Sequence, residues 1–305
     1  MSYQKSTTET GVVAQFFTNI KLGYQARKHN RNTSFSIKRF MPNKSSQGNV
    51  YLIGAGPGDA ELLTLKAYRL IQQADVVMYD WLVNPDIISM IPSSAERIFV
   101  GKKCGNHSMK QEDICELMVD VAQTGKNIVR LKGGDPAIFA RAAEECDILA
   151  KHNIEFAIVP GITAASGASA YAGIPLTHRE CAQSVRFITA HLKSAKAEPN
   201  WQAIVDGATH NNGETLVFYM GLKRIETIMQ RLEENGLSID MPVAVIDQAS
   251  TKQQRVCVGT LDDIAAKVQA ENFQGPAVTI VGEVVNKRHH VDLSLLNFAH
   301  KPISA

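Results

Sequence analysis

None of the five cysteines (Cys104, Cys115, Cys146, Cys181, Cys257) forms a CxxC pair, and the nine histidines include one close pair, His289-His290, and no HExxH. An odd cysteine count without paired spacing excludes a structural zinc of the usual kind and points to reduced thiols in a cytosolic-type compartment. No metal site is expected. No run of eighteen apolar residues occurs, so no membrane-spanning helix is expected either. The N-terminal region has no apolar stretch before a small-residue cleavage site, which excludes a secretory signal. No internal repeat is visible. Acid is scarce in one place: residues 1–48 hold eight Lys/Arg against Glu9 alone, a balance of +7 that leaves −5 on the rest of a chain whose total is +2. A mildly acidic body makes a nucleic-acid binder an unsuitable reading. The basic, Ser/Thr-rich residues 1–48 read as a disordered extension, and the same composition fits an organellar transit peptide equally well.

What is present suits a globular protein. The 305 residues are 45% hydrophobic and 20% charged, enough for two cored domains or one large one. From Val50 the chain alternates between short apolar runs and amphipathic stretches: VYLI, then a helix over AELLTLKAYRLIQQA, DVVMY, RIFVG, and a helix over SMKQEDICELMVDVAQTGK with Ser108 and Gln111 as a capping box. NIVRL and EFAIVPG follow. Strands alternating with helices imply βαβ units and a mainly parallel sheet. A second series begins near Ser184, from SVRFITAH to PAVTIVGEVV, with THRECAQ at 177–183 as the boundary. The expected architecture is α/β: two tandem domains over 49–176 and 177–290, with a tail at 291–305.

Three small-residue loops follow strands. LKGGDPAIFARAAEEC, residues 131–146, places Gly133 and Gly134 before an Asp-Pro that suits a helix start. It reads either as a capped strand-to-helix turn or as backbone bared to a ligand. GAGPGD carries Gly54, Gly56 and Gly58 but has Asp59 where a dinucleotide fingerprint needs its last glycine, and Pro57 lacks the N–H a pyrophosphate cradle would use. An NAD-type site is therefore disfavoured, and Asp59 reads as a helix N-cap. TAASGASAYAG is either a tightly packed buried helix or a small-side-chain seat for a ligand. Ligands of open α/β sheets bind at the carboxyl edge of the strands, and three such loops on one edge favour a nucleoside-like one.

GAGPGDAELLTLKA, ADVVMYDWLV, VGKK, VRLKGGDPAIF, VPGITAASGASAYAGIPLTHR, LVFYMGL and GPAVTIVGEVV, in that order over about residues 48–287, closely resemble the uroporphyrinogen-III C-methyltransferases of the tetrapyrrole methylase family. The resemblance implies a homodimer of two-domain α/β chains in the cytoplasm, with S-adenosyl-L-methionine bound between the domains. Uroporphyrinogen III is then methylated twice, giving precorrin-2 through precorrin-1. It further implies a stand-alone methylase, since 48 residues cannot hold the dehydrogenase–ferrochelatase module of some sirohaem synthases.

Residue by residue, the resemblance puts cofactor contacts on Pro57, Gly133, Gly134, Asp135, Ile138, Thr163, Ala164, Met220, Ala249 and Ala277. It makes Asp80 the proton acceptor and Lys102 the proton donor. A substrate with eight carboxylates calls for basic groups near the cleft mouth. Lys102, Lys103, Arg130, Lys132, Arg141, Arg179 and Arg186 are candidates, with Arg141, Lys132 and Arg179 assigned to substrate. Five alanines depart from the family pattern: Ala140, Ala142 and Ala143 in FARAAEE, Ala190 in TAH and Ala249 in DQAS. Contacts made through backbone survive there if φ stays negative. The rivals are a later precorrin methylase of the same family and a nucleotide-binding module without catalysis; Asp80 and Lys102 argue against the latter.

Overall fold

The computed structural model describes residues 47–101, 109–191, 198–209 and 213–296, all within one compact unit, Asn43–Ala305. Residues 1–46, and with them nearly all of the basic extension, lie outside the described residues.

The first sheet runs β3-β2-β4-β1-β5 and is parallel throughout. Its strands are β1 Val50–Gly54, β2 Val76–Tyr79, β3 Glu96–Phe99, β4 Ile128–Lys132 and β5 Phe156–Val159. One face packs Val50, Leu52, Val76, Met78 and Ile128 against α3 Gln111–Ala122 and α4 Ala142–Lys151. The other packs Ile53, Val77, Val129 and Leu131 against α1 Leu65–Gln72 and α2 Pro85–Ser89. Burial on both faces explains why these strands read as continuous apolar runs rather than alternating ones.

Three local readings change. The helix expected over AELLTLKAYRLIQQA is broken: Asp59 caps a 3-10 turn at Ala60–Leu62, and Thr64 opens α1 by accepting from the Ala67 N–H at 3.1 Å. Two capping residues within six outcompete continued helix, and Leu65 is left 90% exposed. Helix α3 begins at Gln111, and Asp113 accepts from the Lys110 N–H at 3.3 Å; Ser108 lies outside the described residues. Asp135-Pro136 does not start a helix, because α4 begins only at Ala142.

The second sheet runs β6-β7-β10-β8-β9: β6 Ser184–Thr189, β7 Glu214–Tyr219, β8 Pro242–Asp247, β9 Arg255–Thr260 and β10 Ala277–Val281. Only β6 and β7 are parallel; the other pairs are antiparallel. The link between β8 and β9 is too short to hold a crossover helix, so it can only reverse the chain. Its outer face packs on α6 Trp201–Thr209, α7 Ile225–Glu234 and α8 Ile264–Ala270.

The inner face of the second sheet is covered by α5 Ala164–Ala172, which leaves the last strand of the first. Ala165, Ala168 and Ala172 pack there on Val217, Ala244, Ile246 and Ile280. TAASGASAYAG is therefore a helix with one buried face, and the small side chains of that face pack it on the second sheet. A closed ring of hydrogen bonds reinforces the joint. Tyr171 donates to Asp59 at 2.6 Å, the Asp59 N–H to Ser250 at 3.1 Å, the Ser250 N–H to Gln254 at 2.7 Å, and Gln254 to the Tyr171 carbonyl at 3.0 Å. Desolvation and the Asp59 carboxylate push the Tyr171 phenol well above its usual range, so it stays a donor.

Candidate active site

The three glycine loops meet. Gly134 N–H donates to the Gly56 carbonyl at 2.7 Å, and Gly56 returns the bond at 3.1 Å. Asp135 ties in the third loop, accepting from the Gly161 N–H on one oxygen and from the Ala137 N–H on the other, both at 2.8 Å. The two neighbouring glycines serve different ends. A Cβ on Gly133 would meet the Leu82 Cβ at 2.6 Å, so Leu82 already fills that space. Gly134 has φ +70°, which glycine adopts without strain, and a Cβ there would be in ordinary contact with Ala164 N at 3.7 Å.

The second sheet closes the other side. Tyr219 ends β7, shares a 2.7 Å hydrogen bond with the Thr163 hydroxyl and accepts from the Ala165 N–H at 3.1 Å. Burial raises the pKa of its phenol. Phe139, on the loop from the first sheet, lies edge-on to the Tyr219 ring at 5.0 Å. Ile138 and Ala164 pack with Ala249 and Tyr219 in one apolar cluster, and the Pro57 ring occupies the space beside Gly167. Met220 is 51% exposed at φ +57°. Among the described residues, non-glycine positive φ occurs at two asparagines and at Phe139, Arg141, Met220, Gln248 and Ser250. All five of the latter lie in loops leaving β4, β7 and β8, and strain of this kind concentrates at functional sites. None of the five departing alanines has positive φ, which is the condition for backbone contacts there to survive. Ala277 stands apart: the pleat turns its side chain into the outer core, away from Ala249 and Ile138.

Asp80 follows β2 at the same edge, its side chain 23% exposed. The Leu82 N–H donates to one oxygen at 3.0 Å, and Arg130 approaches the other at 3.4 Å. Arg130 also donates to Glu145 at 3.3 Å, and Lys132 contacts both Glu145 oxygens at 2.8 Å. Lys132 is therefore not a group at the cleft mouth. It is 3% exposed, neutralises a carboxylate that is fully buried, and its pKa is lowered by desolvation and then by Arg130. Arg141 is exposed at the end of the glycine loop, with its fork on Glu144 at 2.8 Å. Arg179 is misplaced for substrate within one chain. Its neighbours Glu180–Ala182 line a cavity of about 380 Å³ with Gly213–Thr215, at the start of β7, whereas Met220 follows its end. Arg186, in β6, pairs with Glu214 at 2.6 Å at that same far end. Lys102 and Lys103 lie outside the described residues.

Four residues at this site were not singled out from sequence: Leu82, Phe139, Tyr219 and Glu145. One signal was available. Ile128, Arg130 and Lys132 alternate onto one face of a central buried strand, and two cations there require a buried carboxylate.

The model of the tetrapyrrole (corrin/porphyrin) methylases matches residues 49–265. The chain belongs to that family. Relatives of these methylases include the siroheme synthase of Acinetobacter baylyi, 53% identical over 245 residues, 80% of this chain and 52% of its own. That of Azotobacter vinelandii is 54% identical over 241 residues, 79% and 51%. The chain spans about half the length of the curated relatives it matches. Among solved methylases, the uroporphyrin-III C-methyltransferase of Thermus thermophilus, crystallised with S-adenosylhomocysteine, has a TM-score of 0.66 and 37% identity, covering 79% of this chain and 100% of its own. A cobalt precorrin-4 methyltransferase scores 0.69 at 29% identity, covering 80% and 98%.

Proposed function

We propose that this chain is a uroporphyrinogen-III C-methyltransferase that transfers two methyl groups in succession from S-adenosylmethionine, making precorrin-2 by way of precorrin-1. The observation that carries the reading is the convergence of all three glycine loops, Asp80 and the strained Met220 on one cleft. The uroporphyrin-III enzyme matched over its whole length supports it. The reading takes residues 49–176 and 177–290 as two α/β domains, in a homodimer working in the cytoplasm.

The residues present suit the cofactor. Gly134 holds a left-handed φ that favours bare backbone, and Ile138, Ala164 and Ala249 offer apolar surface. Pro57, Gly133, Gly134, Asp135, Ile138, Thr163, Ala164, Met220 and Ala249 would hold it, and residue 277 through its backbone. When bound, S-adenosylmethionine supplies an electrophilic methyl carbon, so no metal is needed to activate the donor. A pyrrole carbon of the substrate gains that methyl and leaves its ring cationic, and a proton must then depart from a neighbouring bridge carbon. Asp80 accepts that proton. Its two fixed hydrogen bonds orient the carboxylate, and the cationic ring makes the proton acidic enough for an ion-paired base. Lys102, as proton donor, is proposed to release a proton to solvent and take the one held by Asp80, restoring the carboxylate for the second transfer. Arg141 is proposed to bind a substrate carboxylate by exchanging Glu144 for it.

Uroporphyrinogen III offered beside a later methylated precorrin tests the reading. Methylation of the first and not of the second supports it; the reverse assigns the chain to a later step.

A further inference from the structure

Arg130 is shared between two carboxylates. Its Nε is 3.3 Å from Glu145 and a terminal nitrogen is 3.4 Å from Asp80, both long for charge-assisted bonds, while the other terminal nitrogen donates to the Leu131 carbonyl at 2.7 Å. Lys132 meets Glu145 at 2.8 Å on each oxygen, and Gln111 adds a bond at 3.2 Å. Glu145 is thus satisfied without full use of the guanidinium. Had it no lysine, a fully buried carboxylate would draw Arg130 into a bidentate pair and away from Asp80.

We propose that Lys132 is a positioning residue: by neutralising Glu145 it leaves Arg130 free to hold Asp80 in place at the cleft. This rests on the role given to Asp80 above. Stability alone does not account for the cluster, since apolar side chains of equal volume commonly replace a buried ion pair without loss. The ionisable and polar groups facing it are Asp80 after β2, Arg130 and Lys132 on β4, Gln111 and Cys115 on α3, and Glu144 and Cys146 on α4.

Lys132→Met and the charge-balanced double variant Lys132→Met/Glu145→Gln decide the matter. In the single variant kcat should fall at least about tenfold, with KM and S-adenosylhomocysteine affinity within about twofold, because only the base is displaced. The double variant should return to within about threefold of the unmodified enzyme, as Arg130 is released again. A crystal structure of Lys132→Met should show Arg130 bidentate on Glu145 and withdrawn from Asp80. Unchanged kcat in the single variant, a double variant as impaired as the single, or Arg130 still on Asp80 would overturn the proposal. If the single variant does not fold, the double variant alone decides: near-normal kcat supports the role, a tenfold or greater loss refutes it. Absence of methyl transfer in the unmodified protein would sink the proposed function, and the crystallographic arm would still judge the positioning.

Discussion

Tyr219 and Thr163 stand 56 positions apart in the chain and 2.7 Å apart at their hydroxyls, one at the end of a strand of the second sheet and one opening the helix that leaves the first. The Ala165 N–H points at the same phenol oxygen, so a single hydroxyl serves both a side chain and a buried backbone donor. Tyr219→Phe should cost about 1–3 kcal/mol, the usual penalty for leaving buried polar groups unpaired. Chemical denaturation measures it, and cofactor affinity should fall with it because the 160–164 loop loses its tether. Unchanged stability would mean that the bond contributes nothing to the joint.

Gly133 and Gly134 should fail differently. Gly134→Ala finds room but keeps a left-handed φ, so it should lower stability by about 1–2 kcal/mol. Gly133→Ala collides with Leu82 and should displace that side chain, impairing turnover more than the fold. Thermal melts paired with kcat/KM separate the two effects, and identical behaviour would contradict the distinction.

Asp80→Asn keeps the side chain's shape but cannot take a proton at neutral pH. Turnover should drop by roughly 10²-fold or more while S-adenosylhomocysteine binds as before by calorimetry. Turnover within a few-fold of the unmodified enzyme would give the proton to another group.

The glycine loops were legible because Gly and Pro directly after apolar runs leave a local mark, and the motif order gave the family. The charge cluster was not. Strand alternation places Arg130 and Lys132 on one buried face, but nothing local names Glu145, thirteen residues on, as the partner, so a buried ion pair was read as a substrate contact. Within one chain Arg179 falls at the far end of the second sheet, because a motif carries residue types and not the path of the chain. For Ala277, strand alternation sends the side chain to the outer face of the second sheet, which the motif does not reveal. The Tyr219–Thr163 and Phe139–Tyr219 contacts join distant segments, and no local periodicity encodes them.

The thiols should rank by burial and charge. Burial raises Cys115 and Cys146, and burial with Glu271 pushes Cys257 up to about 11. A raised pKa means less thiolate at a given pH. With iodoacetamide near about pH 8.5, half-buried Cys181 should therefore react before Cys115 and Cys257, as read by peptide mass mapping. Cys104 lies outside the described residues. Early loss of Cys257 would show that the second sheet opens readily.

The central claim is double C-methylation. Purified protein, incubated without oxygen with uroporphyrinogen III and S-adenosylmethionine carrying a labelled methyl, can be followed by mass spectrometry of the tetrapyrrole after oxidation. The account predicts a singly labelled species that rises first and gives way to a doubly labelled one, with both formed roughly 10²-fold more slowly in Asp80→Asn. An unlabelled tetrapyrrole from folded protein that binds S-adenosylhomocysteine, or a product that stops at one methyl, would contradict it.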